Sequence, residues 1–142
     1  KRDLSQYKEL VFCGYGEPTY RLHDILWVCD QVRAASSIPI RMDTNGHGSL
    51  IWGEDVAPLF AGRFDTVSIS LNAKDADTYN RRCQPDYENS YEAMLQFARE
   101  IQKYVPHVIL SVVDCISPEE IEACRKVCAQ TGATYRVRVF GS

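Results

Sequence analysis

Two glycines and a carboxylate follow the first apolar run of the sequence, in the segment Gly14-Tyr15-Gly16-Glu17-Pro18. Glycines let a backbone approach a ligand closely, and successive backbone amides can form a small concave site for an anion. A carboxylate such as that of Glu17 can accept hydrogen bonds from an ammonium group. Gly-x-Gly segments are also common in turns, so this segment alone favours a turn over a binding site.

Polar residues end two further apolar runs in the same way. Asp43-Thr44-Asn45-Gly46 ends the second run, and Ser70-Leu71-Asn72 ends the third. Asn-Gly is ordinary turn chemistry, but the carboxyl ends of parallel strands meet at one edge of a sheet, where α/β proteins bind their ligands. Three such segments at successive strand ends therefore predict a binding site.

Five β-rich runs must position these residues, at 9–13, 38–43, 66–71, 107–114 and 134–140. Segments with apolar residues at helical spacing separate them, and Ser117-Pro118 followed by Glu120 is typical of a helix start. Alternating strands and helices predict an α/β protein with a parallel sheet, in a single domain over residues 1–142. A complete eight-stranded barrel needs about 250 residues, so the choice lies between a small open sheet and part of a barrel.

Three of the predicted strands alternate polar and apolar residues, whereas buried parallel strands are usually apolar throughout. The residues that share a polar face are Arg41 with Asp43, Ser68 with Ser70 and Asn72, and Arg136 with Arg138. Two interpretations are open: a concave interior that holds water or a ligand, and a sheet with one solvated face. For the two arginines near the end of the chain, the choice is between binding an anion and keeping an edge strand soluble.

The composition excludes several classes of protein. With 142 residues, 45% of them hydrophobic and 25% charged, the chain is expected to fold. A net charge of −3 disfavours a general nucleic-acid or membrane surface, and no apolar run approaches the ~20 residues of a membrane span. The six cysteines fall mostly in apolar periodic segments, which predicts free thiols and a reducing, cytoplasmic location.

Taken together, the segments at 13–18, 43–46 and 67–72 resemble the second, third and fourth strand ends of radical S-adenosylmethionine (radical SAM) enzymes. Over the whole chain, the sequence is most similar to a subgroup linked to TatD-type hydrolases. The resemblance implies a partial (βα) barrel in which Gly16 and Glu17 meet the amino group of the methionine moiety. The resemblance, together with the two arginines of the last strand, which suggest an anionic substrate or a contact to the cofactor carboxylate, predicts twelve residues that bind S-adenosylmethionine. They are Gly14, Tyr15, Gly16, Glu17, Pro18, Asp43, Thr44, Asn45, Ser70, Asn72, Arg136 and Arg138.

The chain departs from this family in its cysteines. The family holds a [4Fe–4S] cluster on a C-x₃-C-x₂-C segment after its first strand, and no such triplet is present here. Cys124 and Cys128 are four apart on an apolar helical stripe, which is typical of packing residues. We therefore expect a fragment that lacks the N-terminal cluster-binding strand and loop, and that is inactive by itself. Its first strand would then be an exposed sheet edge that favours self-association.

The resemblance implies that the intact protein cleaves S-adenosylmethionine reductively at the cluster, giving a 5′-deoxyadenosyl radical that acts on an unknown substrate. An electron donor such as flavodoxin or ferredoxin is implied, and no membrane or nucleic-acid partner is predicted. Two alternatives remain. One is an ordinary α/β barrel enzyme that binds a phosphate-bearing ligand at the same strand ends. The other is a non-catalytic scaffold that has lost the cluster.

Overall fold

The computed structural model describes residues 9–13 and 17–139. Five parallel strands form one sheet, in the same order as along the chain. They are β1 (Leu10–Phe12), β2 (Ile40–Thr44), β3 (Thr66–Ser70), β4 (His107–Val113) and β5 (Thr134–Arg138). The predicted α/β fold with five parallel strands is confirmed. The end of the last predicted run, Phe140, lies outside the described residues.

Helices connect the strands. They are α1 (Leu22–Ala35), α2 (Gly48–Trp52), α3 (Ala76–Cys83), α4 (Ser90–Ile101) and α5 (Pro118–Thr131), with 3₁₀ turns at Pro18–Arg21 and Ala57–Phe60. Helix α5 starts as predicted, because the Ser117 hydroxyl accepts a hydrogen bond from the backbone N–H of Glu120 at 3.1 Å. The Glu120 carboxylate does not turn back to this cap; it pairs with Arg82 of α3 at 2.7 Å.

The helices pack on one face of the sheet. Strand residues on this face are fully buried, among them Ile40 and Met42 of β2 and Ile69 of β3, each 0% exposed. Cys124 and Cys128 of α5 are also 0% exposed and belong to the same hydrophobic core, as their position on an apolar stripe predicted. Burial raises the pKa of the Cys124 thiol to about 11, which keeps it protonated at neutral pH.

The other face of the sheet carries polar side chains that stand in register. Asp43 of β2 is level with Ser68 of β3, and Ser70 is level with Ser111 of β4. No helix of the described residues packs on this face, which we call the open face. Ser68 and Ser111 are nonetheless only 4% exposed.

Strand β5 presents its arginines to the open face. Tyr135 points to the helices, because its hydroxyl donates a hydrogen bond to the carbonyl of Ile121 in α5 at 2.8 Å. Since successive strand residues point to opposite faces, Arg136 and Arg138 lie on the open face. Both are thus turned away from the helices, which leaves them facing the same side as Asp43 and Ser70.

Strands β1 and β5 are the two edges of the sheet within the part of the chain that the structure describes. Val11 of β1 is 39% exposed, so this edge presents an apolar side chain as well as backbone groups. Self-association through β1 stays a prediction. None of the described helices has the length and apolar character needed to cross a membrane.

Candidate functional site

A cleft of about 540 Å³ lies where the strands end, and it contains most of the residues predicted from the sequence. It draws on the exits of β1 and β2, on the end of β3 and on the end of β5. Its lining consists of Cys13, Glu17, Pro18, Asp43, Thr44, Asn45, Ser70 and Arg138. The parallel sheet brings these residues together because all the strands place their carboxyl ends on the same edge.

The Glu17 carboxylate is the centre of the hydrogen bonds in this cleft. Its Oε1 accepts from the backbone N–H of Asn45 at 2.7 Å. Its Oε2 accepts from the backbone N–H of Thr19 at 3.1 Å, and also from the hydroxyls of Thr19 and Thr44. Glu17 therefore links the loop after β1 to the turn after β2, and Oε1 keeps capacity for one further donor.

Glycine is required in the turn after β2 for two reasons. Gly46 has φ +81°, a backbone conformation that L side chains rarely adopt. A Cβ atom at this position would also lie 2.9 Å from Cγ of Met94 and 3.0 Å from Cγ2 of Ile69. The turn is closed by the Thr44 hydroxyl, which accepts from the Gly46 N–H at 3.1 Å. This tight turn sets the position of Asn45 against Glu17.

Charged side chains in the cleft differ in how far the protein compensates them. Asp43 accepts a hydrogen bond from Nε of Arg41 at 2.8 Å, so its charge is balanced within β2. The guanidinium of Arg138 has no hydrogen bond or ion pair with any other described residue. Among the residues that the structure describes, the cleft therefore offers one cation without an ion pair, next to a neutralised carboxylate, and it can bind an anionic group at that end.

Asn72 lies in a second, smaller cavity of about 220 Å³ together with His47 and Tyr79. It has φ +65°, and its Nδ2 points to Sγ of Cys83 in α3 at 3.6 Å. This left-handed conformation breaks the alternation that placed Asn72 on the face of Ser68 and Ser70. Asn45 lines both cavities, so the two adjoin.

His47 and Tyr79 form a buried polar pair in the wall of this second cavity. His47 is 5% exposed, and its Nε2 lies 2.9 Å from the Tyr79 hydroxyl. Burial lowers the pKa of His47, although the Glu17 charge and a hydrogen bond to the backbone of Ser90 act in the opposite direction. Burial also raises the pKa of Tyr79. Both side chains are therefore neutral at pH 7.

Four of the predicted residues are not seen in the two cavities, three of them because they lie outside the described residues. Gly14, Tyr15 and Gly16 are not among the described residues. Arg136 is exposed on the open face and does not line the cleft. In the other direction, sequence reasoning missed Thr19, which is fully buried beneath Glu17. The signal for it was present, since a carboxylate two residues before a Thr and next to a Pro is typical of a helix cap.

The described residues do not fit an iron–sulfur cluster. No group of three or more His, Cys, Asp or Glu side chains within residues 9–13 and 17–139 is arranged to hold a metal. Cys13 lines the cleft as a single thiol, and Cys115 is exposed after β4. Cys29, Cys124 and Cys128 are buried in the core. A cluster of the [4Fe–4S] type needs several converging thiolates, which this arrangement does not provide.

Comparison with known proteins identifies a solved structure of similar fold. It is the crystal structure of a domain of pyruvate-formate lyase-activating enzyme from Bacteroides vulgatus, with a TM-score of 0.58 and 13% sequence identity. The similarity covers 90% of this chain and 97% of that one. At this identity the likeness concerns the fold. No family model matches the chain, and no curated protein matches its sequence.

Proposed function

We propose that this chain is the S-adenosylmethionine-binding portion of a radical SAM enzyme of the subgroup linked to TatD-type hydrolases. The observation that carries the proposal is the cleft at the strand ends. Seven of the twelve residues predicted to bind the cofactor line it together, from the ends of four strands: Glu17, Pro18, Asp43, Thr44, Asn45, Ser70 and Arg138. The fold similarity to a domain of an activating enzyme supports the same class of protein.

The chemistry of the cleft suits a zwitterionic nucleoside. Oε1 of Glu17 and the Asp43 carboxylate can accept from an ammonium group, while the unpaired guanidinium of Arg138 can bind a carboxylate. The hydroxyl of Ser70 and the side chain of Asn45 can bind ribose hydroxyls. The cleft volume of about 540 Å³ lies within the range of small-molecule sites.

S-adenosylmethionine bound here would supply a 5′-deoxyadenosyl radical for hydrogen abstraction from a substrate, once one electron from the cluster cleaves its C5′–S bond and releases methionine. The part played by this chain is to bind and orient the cofactor and to shield it from water. The cluster that donates the electron has no ligand set among the described residues, so its ligands would come from outside them. An electron donor such as flavodoxin or ferredoxin, and a cytoplasmic location, belong to the same proposal.

One observation favours a non-catalytic scaffold as the second candidate. Four donors of this chain already converge on the Glu17 carboxylate, so the residue has a structural role without any ligand. A scaffold that kept the fold and lost the chemistry would retain such a contact. Binding of S-adenosylmethionine therefore separates the two candidates.

The test is a titration of S-adenosylmethionine into the 142-residue chain, followed by two-dimensional NMR of the backbone amides. We expect saturable shifts at residues 43–45 and 70, and at least a tenfold weaker affinity in Asp43→Asn and in Arg138→Gln, since each removes a charge-assisted hydrogen bond. Asp77→Asn and Arg125→Gln are matched controls on the surfaces of α3 and α5. The absence of saturable shifts in the cleft would favour the scaffold.

A further inference from the structure

Three polar residues form a row across the open face of the sheet. Ser70 of β3 is level with Ser111 of β4, and Ser111 is level with Arg136 of β5. Neighbouring strands lie about 4.8 Å apart, so the row spans roughly 10 Å. Two hydroxyls and a guanidinium thus stand side by side on one face, with Arg138 two residues further along β5.

The two arginines of β5 differ from the others in the described part of the chain. Elsewhere each arginine has a partner: Arg33 pairs with Asp65, Arg63 with Asp30, and Arg82 with Glu120. Among the arginines within residues 9–13 and 17–139, only Arg136 and Arg138 have neither a hydrogen bond nor an ion pair from their side chains. Their charges are therefore available to a ligand.

The balance of charge on the open face is positive. Arg41 and Asp43 neutralise each other at 2.8 Å, and the Glu17 carboxylate lies in the cleft with Arg138. The charge of Arg136 remains in excess on this face. The whole chain, in contrast, has a net charge of −3. A local excess of positive charge on an acidic protein attracts anions to that face.

The neighbours of Arg136 argue against a merely solubilising role. A charge that only protects an edge strand needs no sheltered polar groups beside it. Ser111, at the level of Arg136, is 4% exposed, and its hydroxyl has no hydrogen bond to another described side chain. A sheltered hydroxyl beside an unpaired guanidinium is the combination that binds an oxyanion, because both donors can point to the same oxygen atoms.

We propose that Ser111 and Arg136 bind an oxyanion of the substrate, either a carboxylate or a phosphate group, beside the cleft that Ser70 and Arg138 line. This inference rests on the proposed function, since a substrate on the open face would lie next to S-adenosylmethionine in the cleft. Arg136 does not line the cleft, whereas Arg138 does, so a substitution of Arg136 tests the oxyanion site separately from the cleft.

The test uses the 142-residue chain and two probes, inorganic phosphate and succinate, each titrated at constant ionic strength and followed by backbone-amide NMR. We expect saturable shifts at residues 111 and 134–138 with one of the probes, and the stronger probe identifies the group. Arg136→Gln should weaken that binding at least tenfold, and Ser111→Ala should weaken it severalfold. Arg125→Gln, which removes the same charge from α5, should leave it unchanged.

Two outcomes would overturn the inference: no saturable shift on β5 with either probe, or an equal loss in Arg125→Gln and Arg136→Gln. A separate titration with S-adenosylmethionine distinguishes this failure from failure of the proposed function. Arg136→Gln should bind S-adenosylmethionine as the unmodified chain does, because Arg136 lies outside the cleft. If the chain binds phosphate or succinate at Arg136 but not S-adenosylmethionine, the proposed function fails and the oxyanion site stands.

Discussion

The Oε1 atom of Glu17 lies 2.7 Å from the backbone nitrogen of Asn45, so the loop after β1 is tied directly to the turn after β2. The two residues are 28 positions apart in the sequence. The second oxygen of the same carboxylate binds Thr19 and Thr44. One side chain thus holds together two of the segments that form the candidate site, and its contribution can be measured without any ligand.

Replacing Glu17 by Gln should destabilise the fold. Both carboxylate oxygens of Glu17 accept hydrogen bonds, whereas Gln has an NH₂ group in place of one of them. The donors that face this NH₂ group would lose their acceptor, and a buried donor without an acceptor costs about 1–3 kcal/mol. A Glu17 that only bound a ligand would tolerate this substitution without loss of stability. The measurement is the free energy of unfolding from urea titration, monitored by circular dichroism.

Glu54→Gln is the matched control for this prediction. Glu54 is exposed at the end of α2, and the same chemical change there should alter the free energy of unfolding by less than about 0.5 kcal/mol. Equal stability of Glu17→Gln and Glu54→Gln would show that the internal hydrogen bonds of Glu17 contribute nothing to the fold. A role in ligand binding would then be the only one left for Glu17.

The meeting of Asp43, Thr44, Asn45 and Ser70 in one cleft was predictable, because parallel strands in chain order must bring their carboxyl ends together. The network around Glu17 was not. It depends on a contact between residues 17 and 44, which no local pattern encodes. Asn72 shows a related limit, because strand alternation was extended two residues beyond the end of β3 at Ser70, to a residue with φ +65° that lines the second cavity.

The segment with Val56, Leu59 and Phe60 shows a similar limit of periodicity. The spacing is helical, but the structure has only a 3₁₀ turn at Ala57–Phe60, with Pro58 among its first residues. Apolar side chains three to four positions apart share one face in a single turn as well as in a longer helix, so this spacing does not distinguish the two. Strand existence and order were therefore more predictable than the length of each helix.

Gly46→Ala should destabilise the protein more than Gly62→Ala. Both glycines have positive φ, +81° and +74°, so both substitutions incur the cost of a left-handed alanine, roughly 1–2 kcal/mol. At Gly62 a Cβ atom would meet nothing within 4 Å, whereas at Gly46 it would meet Met94 at 2.9 Å. The difference between the two variants isolates the packing clash, which we expect to be about 1–3 kcal/mol.

Thermal and urea unfolding of the two glycine variants give this difference directly. The clash at Gly46 also displaces the turn that positions Asn45, so S-adenosylmethionine or any other ligand of the cleft should bind Gly46→Ala more weakly. Gly62→Ala, which changes a residue just after the 3₁₀ turn at Ala57–Phe60, should leave ligand binding unchanged. Identical losses of stability in both variants would mean that Met94 moves aside without cost.

His47 should make the fold sensitive to acid. In the unfolded chain a histidine takes up a proton near pH 6.5, whereas burial against Tyr79 lowers the pKa of His47 in the folded protein. Between these two pKa values the unfolded state binds more protons, so the free energy of unfolding falls as the pH is lowered through 6.5. One proton contributes at most about 1.4 kcal/mol per pH unit, and above about pH 7.5 the effect vanishes.

The direct measurement is an NMR titration of the three histidine rings in the unmodified chain. We expect the His47 ring to take up its proton below pH 6.5, the ordinary value for a histidine, because it is buried. His23, which is exposed on α1, is the control site for substitution. Unfolding at pH 7.5 and 5.5 then tests the consequence, since His47→Gln should lose less stability on acidification than the unmodified chain or His23→Gln. The ring titration reports on the folded protein even if His47→Gln is unstable. A His47 ring that takes up its proton at or above about pH 6.5 would contradict the argument, because burial would then not control its charge.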